Sequence, residues 1–124
     1  MPPNYRALSI EDDLHTYEMI RDILGSLPLE VINASTGAEA IDFLTREIPD
    51  LILLDINLPD MSGWHVLDKF KNDERFTRSH IIILTSHKEP IHRIIGFLQP
   101  IALYLRKPFE PNELRAKVQQ LLNL

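Results

Sequence analysis

Residues 51–63 constrain the fold of this chain most strongly. Four consecutive aliphatic residues, 51–54, run directly into Asp55, and a segment containing proline and glycine follows. An uninterrupted apolar run of this length is typical of a strand covered on both faces, as the central strands of parallel sheets are. Such a strand would place Asp55 at its carboxyl end, where open α/β sheets bind their ligands. Capping of the following turn, a common role of aspartate, would also explain Asp55.

Five β-capable runs alternate with five segments in which apolar residues recur at helical spacing. The predicted strands cover residues 5–10, 29–33, 51–54, 81–84 and 102–105. The predicted helices cover residues 16–26, 35–48, 63–71, 89–98 and 111–122, the second being ended by Pro49 with Ile48 on its apolar face. The second strand is more polar than the others, which favours a position near the edge of the sheet.

The alternation of strands and helices predicts an α/β domain with a parallel sheet, because each parallel step requires a crossover. Right-handed crossovers and a buried middle favour a flavodoxin-like three-layer sandwich, with a five-stranded sheet of order 2-1-3-4-5 and five helices. The length of 124 residues suits one domain with a hydrophobic core.

The composition excludes several classes of function. The chain has no cysteine, which rules out disulfides, zinc–thiolate sites and thiol catalysis. Its net charge of −5 argues against a nucleic-acid surface. The first residues lack the apolar core of a secretory signal, and no run approaches the roughly 20 apolar residues that span a bilayer. We therefore expect a cytoplasmic domain that binds neither nucleic acid nor membrane.

Charged and hydroxyl side chains follow four of the five predicted strands. In chain order they are Glu11, Asp12, Asp13, Asp55, Thr85, Ser86 and Lys107. The carboxyl ends of parallel strands share one edge of the sheet, so these groups should meet there. Carboxylates gathered this closely repel one another unless Lys107 or a hard divalent cation neutralises them.

A lysine and hydroxyls beside acidic residues suit a phosphoryl group bound next to magnesium. Magnesium takes oxygen ligands, usually one or two carboxylates together with a phosphate. Lys107 would supply positive charge to the phosphoryl oxygens, and Thr85, with Ser86 beside it, a hydrogen bond. A purely structural salt bridge between Lys107 and the acids would explain the same residues, because charge clusters also occur for structural reasons.

These residues give the chain a resemblance to the receiver domain of two-component response regulators, and in particular to the single-domain chemotaxis regulators. The matching residues are Glu11, Asp12, the stretch 55–63, Thr85, Tyr104, Lys107, Pro108 and Phe109. Each signal is weak alone, but their order and their positions at strand ends make the set specific. The order 2-1-3-4-5 is also what this resemblance implies. It implies a single receiver domain over residues 1–124, without an output domain in the chain.

The resemblance implies a role for each residue of the site. Asp55 would be the phosphoacceptor, whose carboxylate attacks a phosphohistidine on a sensor histidine kinase or a histidine phosphotransfer protein. Asp12, Asp55 and the backbone carbonyl of Asn57 would bind Mg²⁺, or Mn²⁺ in its place, and Glu11 would act through a water. Lys107 would pair with Asp55 and then with the incoming phosphoryl oxygens.

The resemblance also implies a conformational switch. Thr85 would turn toward the phosphoryl group and Tyr104 would rotate inward behind it, so that a local charge changes a distant surface. An ordinary strand tyrosine at position 104 would instead keep one orientation. The Lys107–Pro108 bond is expected to be cis. A downstream protein would bind the face formed by the fourth helix, fifth strand and fifth helix, which could also form a homodimer.

The sequence departs from the family pattern just before the last strand. Gln99-Pro100-Ile101 stands where receivers usually carry a small Gly-Ala pair, and Pro100 is expected to end the preceding helix early. Phe97 and Ile101 are expected to enlarge the apolar output face, unless both fold back into the core. His87 could screen the attacking water in dephosphorylation, or be a surface histidine without a role.

Two other functions fit part of the pattern. An aspartate-nucleophile phosphatase would use similar residues, but such enzymes carry a second aspartate where this chain has Asn57, and the chain has no room for a substrate cap. A degenerate receiver, acting as a phosphorylation-independent interaction module, would have lost some of the acidic, hydroxyl and lysine residues that are all present here. The favoured interpretation is a phosphoacceptor that is not itself an enzyme.

Overall fold

In the computed structural model, the described residues are 5–70, 72–85 and 103–124. Their strands are β1 (Tyr5–Ile10), β2 (Leu29–Ala34), β3 (Leu51–Asp55), β4 (His80–Thr85) and β5 (Leu103–Arg106). Their helices are α1 (Leu14–Leu24), α2 (Gly37–Arg46), α3 (Gly63–Phe70) and α4 (Pro111–Leu122), with a 3₁₀ turn over Glu74–Arg78. None of the helices in these ranges is long and apolar enough to cross a membrane.

Several sequence predictions lie outside the described residues. They concern the helix over residues 89–98, the side chain of Thr85, and Ser86, His87, Phe97, Gln99, Pro100 and Ile101.

The five strands form one parallel sheet in the order β2-β1-β3-β4-β5. The predicted topology is therefore confirmed, including the position of the more polar β2 at an edge. All residues of β3 are buried. Because β3 lies between β1 and β4 and is covered on both faces, its apolar run has no polar alternation.

Two apolar clusters occupy the two faces of the sheet. Successive strand residues point to opposite faces, so Leu51 and Leu53 belong to one cluster and Ile52 and Leu54 to the other. The first cluster includes side chains of α1 and α4, and the second includes side chains of α2 and α3. The arrangement is the predicted three-layer sandwich.

Local capping sets the start of the first helix. The Asp13 carboxylate accepts from the backbone N–H of His15 at 3.2 Å and from the Thr16 hydroxyl at 2.7 Å. The helix consequently begins at Leu14, two residues before the predicted start.

The second helix keeps half of a capping box. The Thr36 hydroxyl accepts from the N–H of Glu39 at 3.1 Å, but the Glu39 carboxylate accepts from the Ser35 hydroxyl at 2.8 Å, not from the N–H of Thr36. The prediction that this helix continues to Pro49 was wrong. The helix ends at Arg46, and Glu47 after it is extended. Ile48 precedes Pro49, and the residue before a proline avoids helical backbone angles. Ile48 is therefore outside the helix, and its side chain is 38% exposed.

The connection between α3 and β4 contains a short element that the sequence patterns did not predict. The Asp73 carboxylate caps the 3₁₀ turn by accepting from the N–H of Arg75 at 3.0 Å. The turn buries Phe76, whose ring lies 5.1 Å from that of Phe70 between centroids. The contact between the two rings thus packs the 3₁₀ turn against the end of α3.

Gly63, the first residue of α3, lies too close to the end of β3 for a side chain. A Cβ at this position would be 2.7 Å from the carbonyl oxygen of Asp55 and 2.9 Å from the Cα of Ile56. The N–H of Gly63 also donates to the carbonyl of Ile56 at 2.7 Å. Because both neighbours are backbone atoms of the segment that carries Asp55, neither can move without moving that segment.

We expect Gly63→Ala to lower the free energy of unfolding by about 2 kcal/mol, because the added methyl group must displace backbone. The matched control is Gly25→Ala. Gly25 has φ −65° and ψ −18°, which alanine adopts readily, so its effect should be below about 1 kcal/mol. Urea unfolding measures both variants, and equal stabilities of the two would contradict the steric argument.

Candidate functional site

The site lies at the carboxyl edge of the sheet. β1 and β3 are neighbours there, and β5 is separated from β3 by β4. Glu11 and Asp12 follow β1, Asp55 is the last residue of β3, and Lys107 follows β5. The parallel sheet therefore gathers residues that are up to 96 positions apart in sequence. Four of the seven groups predicted to meet at this edge, those of Glu11, Asp12, Asp55 and Lys107, do meet. Asp13 was expected there too, but its carboxylate caps α1 instead. The Thr85 side chain and Ser86 lie outside the described residues.

Lys107, after β5, connects the acidic residues at the ends of β1 and β3. Its Nζ donates to Glu11 Oε1 at 3.0 Å, to Glu11 Oε2 at 2.9 Å and to Asp55 Oδ2 at 3.2 Å. The other oxygen of Asp55, Oδ1, accepts from the backbone N–H of Asn57 at 3.0 Å. Each carboxylate oxygen of Asp55 thus has its own hydrogen-bond donor, and the two donors fix the orientation of the carboxylate. Sequence reasoning expected Lys107 to pair with Asp55, and it did not identify Glu11 as its bidentate partner.

The acidic residues differ in their access to solvent. Glu11 and Asp55 are buried, with 2% and 6% of their surfaces exposed, whereas Asp12 is exposed. A buried carboxylate requires a charge partner or hydrogen bonds, and Lys107 supplies both. Because Asp12 is exposed, its carboxylate is accessible to a ligand that enters from solvent.

The charge of the pocket is only partly balanced. Burial raises the pKa of the Glu11 carboxyl to about 7, assisted by the negative charge of Asp55 and opposed by Lys107. Burial by itself lowers the pKa of the Lys107 ammonium, but its contacts with Glu11 and Asp55 outweigh this and raise that pKa above the ordinary value. Lys107 therefore stays protonated at neutral pH, and its one positive charge faces the two buried carboxyl groups of Glu11 and Asp55.

The three acids are placed to share a cation. Oxygen atoms of Glu11, Asp12 and Asp55 lie within 4.8 Å of one another. All are hard carboxylate donors, the kind that Mg²⁺ and Mn²⁺ accept. Three carboxylates this close, two of them buried, suit a divalent cation, so the residues present fit such an ion.

The loop over residues 56–62 leaves the site and leads into α3. Asn57 and Ser62 form an isolated antiparallel bridge across it, and the N–H of Gly63 closes it on Ile56. The Asp60 carboxylate accepts from the N–H groups of Gly37 and Ala38 at the start of α2, at 2.8 and 3.0 Å. Sequence reasoning missed this last contact, because a hydrogen bond between residues 23 apart leaves no local pattern.

The predicted switch residues are only partly described. The backbone of Thr85 pairs in register with Arg106 of β5. Tyr104 is half-buried, and in the described part of the chain its buried hydroxyl has no hydrogen-bond partner. Its ring lies 6.5 Å from that of Trp64 between centroids, a neighbour that the sequence did not indicate. The Lys107–Pro108 peptide bond is cis, in agreement with the expectation.

Comparison with known sequences points to one family. The family model described as response regulator receiver domain matches residues 7–119. Response regulator Rre1 of Synechocystis is 33% identical over 116 residues, which cover 93% of this chain and 50% of that protein. Transcriptional regulatory protein GltR of Pseudomonas aeruginosa is 32% identical over 123 residues, covering 98% and 51%. The chain spans about half the length of the curated relatives it matches.

Solved structures give the same result. A CheY-like response regulator receiver domain protein from Methanospirillum hungatei superposes with a TM-score of 0.84 at 27% identity, covering 96% of this chain and 94% of that one. The chemotaxis response regulator CheY4 of Vibrio cholerae gives 0.82 at 25% identity, covering 94% and 98%. The likeness thus extends over both chains.

The raised pKa of Glu11 predicts how stability depends on pH in the absence of metal. The unfolded chain loses the Glu11 proton near pH 4.5, whereas the folded chain keeps it until about pH 7. The stabilising contribution is complete below pH 4.5 and is lost as the pH rises to about 7. In EDTA, Glu11→Gln should therefore gain about 2 kcal/mol relative to wild type between pH 5 and pH 8.

Urea unfolding at the two pH values measures this gain. The control is Asp22→Asn, which removes an exposed carboxylate remote from the edge and should leave the pH dependence parallel to that of the wild type. Parallel curves for Glu11→Gln and the wild type would contradict the electrostatic description of the pocket.

Proposed function

The chain belongs to the response regulator receiver domain family, and from that premise we propose that Asp55 accepts a phosphoryl group from a phosphohistidine. A receiver domain acts within a two-component phosphorelay. One observation carries the assignment to this residue. Asp55 ends the central strand with one oxygen 3.2 Å from the Lys107 ammonium and the other 3.0 Å from the N–H of Asn57, among the acids Glu11 and Asp12.

The transfer requires one new bond and one broken bond. A carboxylate oxygen of Asp55 bonds to phosphorus while the bond from phosphorus to the histidine nitrogen breaks, and that electron pair returns to the imidazole. The product is an acyl phosphate on Asp55. Lys107 is already within hydrogen-bond distance of Asp55, so it can follow the charge onto the phosphoryl oxygens. Catalysis of this kind consists mainly of positioning and charge neutralisation.

We assign Mg²⁺, with Mn²⁺ as a substitute, to the pocket formed by Asp12, Asp55 and the backbone carbonyl of Asn57. When bound, a divalent cation reduces the repulsion between the carboxylates and the phosphoryl oxygens. Among the described residues, exposed Asp12 has no salt bridge that would have to break before it offers its carboxylate. Both oxygens of Glu11 accept from Lys107, which supports a role for Glu11 through a water.

Receiver domains interact with histidine kinases and with downstream targets. For this chain we propose a sensor histidine kinase or a histidine phosphotransfer protein as donor. The downstream protein, or a second copy in a homodimer, would bind the face formed by the predicted helix over residues 89–98, β5 and α4. The proposal treats residues 1–124 as one receiver domain in the cytoplasm that carries phosphate, is not a turnover enzyme, and contacts neither nucleic acid nor membrane.

The proposal includes a switch through Thr85 and Tyr104. Tyr104 has a buried hydroxyl without a partner in the described residues, and burial raises the pKa of that hydroxyl. An unpaired buried polar group costs free energy, which favours a tyrosine that has a second arrangement available. Ser86 is proposed to assist Thr85 at the phosphoryl group.

Asp55→Asn should abolish labelling by acetyl phosphate in the presence of Mg²⁺, because the amide cannot form the acyl phosphate. Mass spectrometry of the intact protein detects the modification. The matched control is Asp50→Asn. Asp50 directly precedes the same strand at its opposite end, where its carboxylate accepts from the N–H of Arg6 at 2.8 Å, and its variant should be labelled normally.

The same experiment separates the alternatives. Undiminished labelling of Asp55→Asn would overturn the assignment of the phosphoacceptor. A wild type that takes no label would favour the degenerate receiver. Release of phosphate from a generic phosphomonoester over many turnovers would favour the aspartate-nucleophile phosphatase.

Beryllofluoride with Mg²⁺, a mimic of the phosphoryl group, should change the orientation of the Tyr104 ring. Side-chain NMR of Tyr104 and fluorescence of the single tryptophan, Trp64, measure the change, since their rings are 6.5 Å apart. Tyr17 serves as the internal control because its hydroxyl already has a partner, the carbonyl of Val31 at 3.5 Å. One unchanged Tyr104 rotamer in both states would remove the switch.

A further inference from the structure

Asp60 connects the loop after β3 to a helix that has no residue in the acidic pocket. Its two carboxylate oxygens accept from two successive N–H groups of α2, Gly37 at 2.8 Å and Ala38 at 3.0 Å. These belong to the first N–H groups of the helix, which lack partners within it. The hydrogen bonds, first that of Gly37, lower the pKa of Asp60. At neutral pH the carboxylate is therefore ionised, and its negative charge interacts favourably with the positive end of the helix dipole.

Met61 strengthens the same connection by packing. A Cβ on Gly37 would be 2.3 Å from Cγ and 2.5 Å from Sδ of Met61. Gly37 therefore leaves the space that the Met61 side chain occupies at the start of α2. Two neighbouring residues of the loop, one charged and one apolar, rest on the same turn of the helix.

The inner part of this loop is part of the proposed metal site. The N–H of Asn57 donates to Asp55 Oδ1 at 3.0 Å, and Asn57 pairs with Ser62 across the loop. Gly63 then holds the far end of the loop against Ile56 at 2.7 Å. The loop is closed on β3 at its base and attached to α2 at its outer end, so the start of α2 helps to determine where the Asn57 backbone lies.

We propose that Asp60 is a positioning residue for the metal site. Asp60 sets the Mg²⁺ affinity because it fixes the loop that carries Asn57 to the start of α2. The inference rests on the proposed function, because it requires that the loop provides a metal ligand. Groups that orient metal ligands from outside commonly contribute strongly to affinity. Coupling between two sites is also reciprocal, so bound Mg²⁺ should in turn strengthen the contact between Asp60 and α2.

Three variants test the proposal in Mg²⁺ titrations followed by the amide NMR signals. Asp60→Ala removes both hydrogen bonds and should raise the Mg²⁺ Kd about tenfold. Asp60→Asn keeps an oxygen acceptor of similar capping strength, and its Kd should rise less than about threefold. The matched control, Thr36→Ala, removes the other cap of the same helix, the bond to the N–H of Glu39, without touching the loop, and should leave the Kd unchanged.

Hydrogen exchange provides a second measurement that a purely structural role would not affect. In the wild type, Mg²⁺ should slow exchange of the Gly37 and Ala38 amides, and in Asp60→Ala this protection should disappear. Equal Mg²⁺ affinities of wild type and Asp60→Ala, or Kd increases of the same size in Asp60→Ala and Thr36→Ala, would overturn the inference. So would wild-type amides at the two positions that do not respond to Mg²⁺. A wild type that does not bind Mg²⁺ at all would overturn the proposed function itself.

Discussion

The three hydrogen bonds of the Lys107 ammonium allow Glu11 and Asp55 to be buried side by side. Without a cation between them, two desolvated carboxylates would be strongly unfavourable. The compensation is incomplete, since the pKa of Glu11 rises to about 7 even with Lys107 in contact. The burial that raises this pKa reduces stability, and it also holds the carboxylates of Glu11 and Asp55 in place beside Asp12. The cost in stability and the geometry of the site therefore have one physical origin.

The parallel sheet is what brings these charges together. Lys107 contacts Glu11 from a position 96 residues later in the chain. The two residues meet because the strands before them end at the same edge of the sheet. Leu53, two residues before Asp55 on the same face of the sheet, and Ile82 beside it in β4 are buried in the core, so the pocket adjoins an apolar layer, near which electrostatic contacts are stronger than in water. Asp12 remains exposed, which keeps one acid available to solvent while the other two are held fixed.

Much of the fold follows from the sequence because its signals are local. The apolar run at residues 51–54 marks a buried central strand, and a charged residue after a strand marks the edge at which it lies. The exposure of Ile48 was not anticipated, since helical spacing continues past the point where Pro49 disfavours helical angles. The bidentate contact of Glu11 with Lys107 and the contact of Asp60 with α2 depend on tertiary geometry. No pattern of neighbouring residues contains that geometry.

The two apolar clusters have no residue in common, because adjacent positions on each strand face opposite sides of the sheet. Substitutions on separate faces of a sheet tend to combine additively. Packing changes in the layer of α1 and α4 should therefore alter the stability of the domain independently of changes in the layer of α2 and α3.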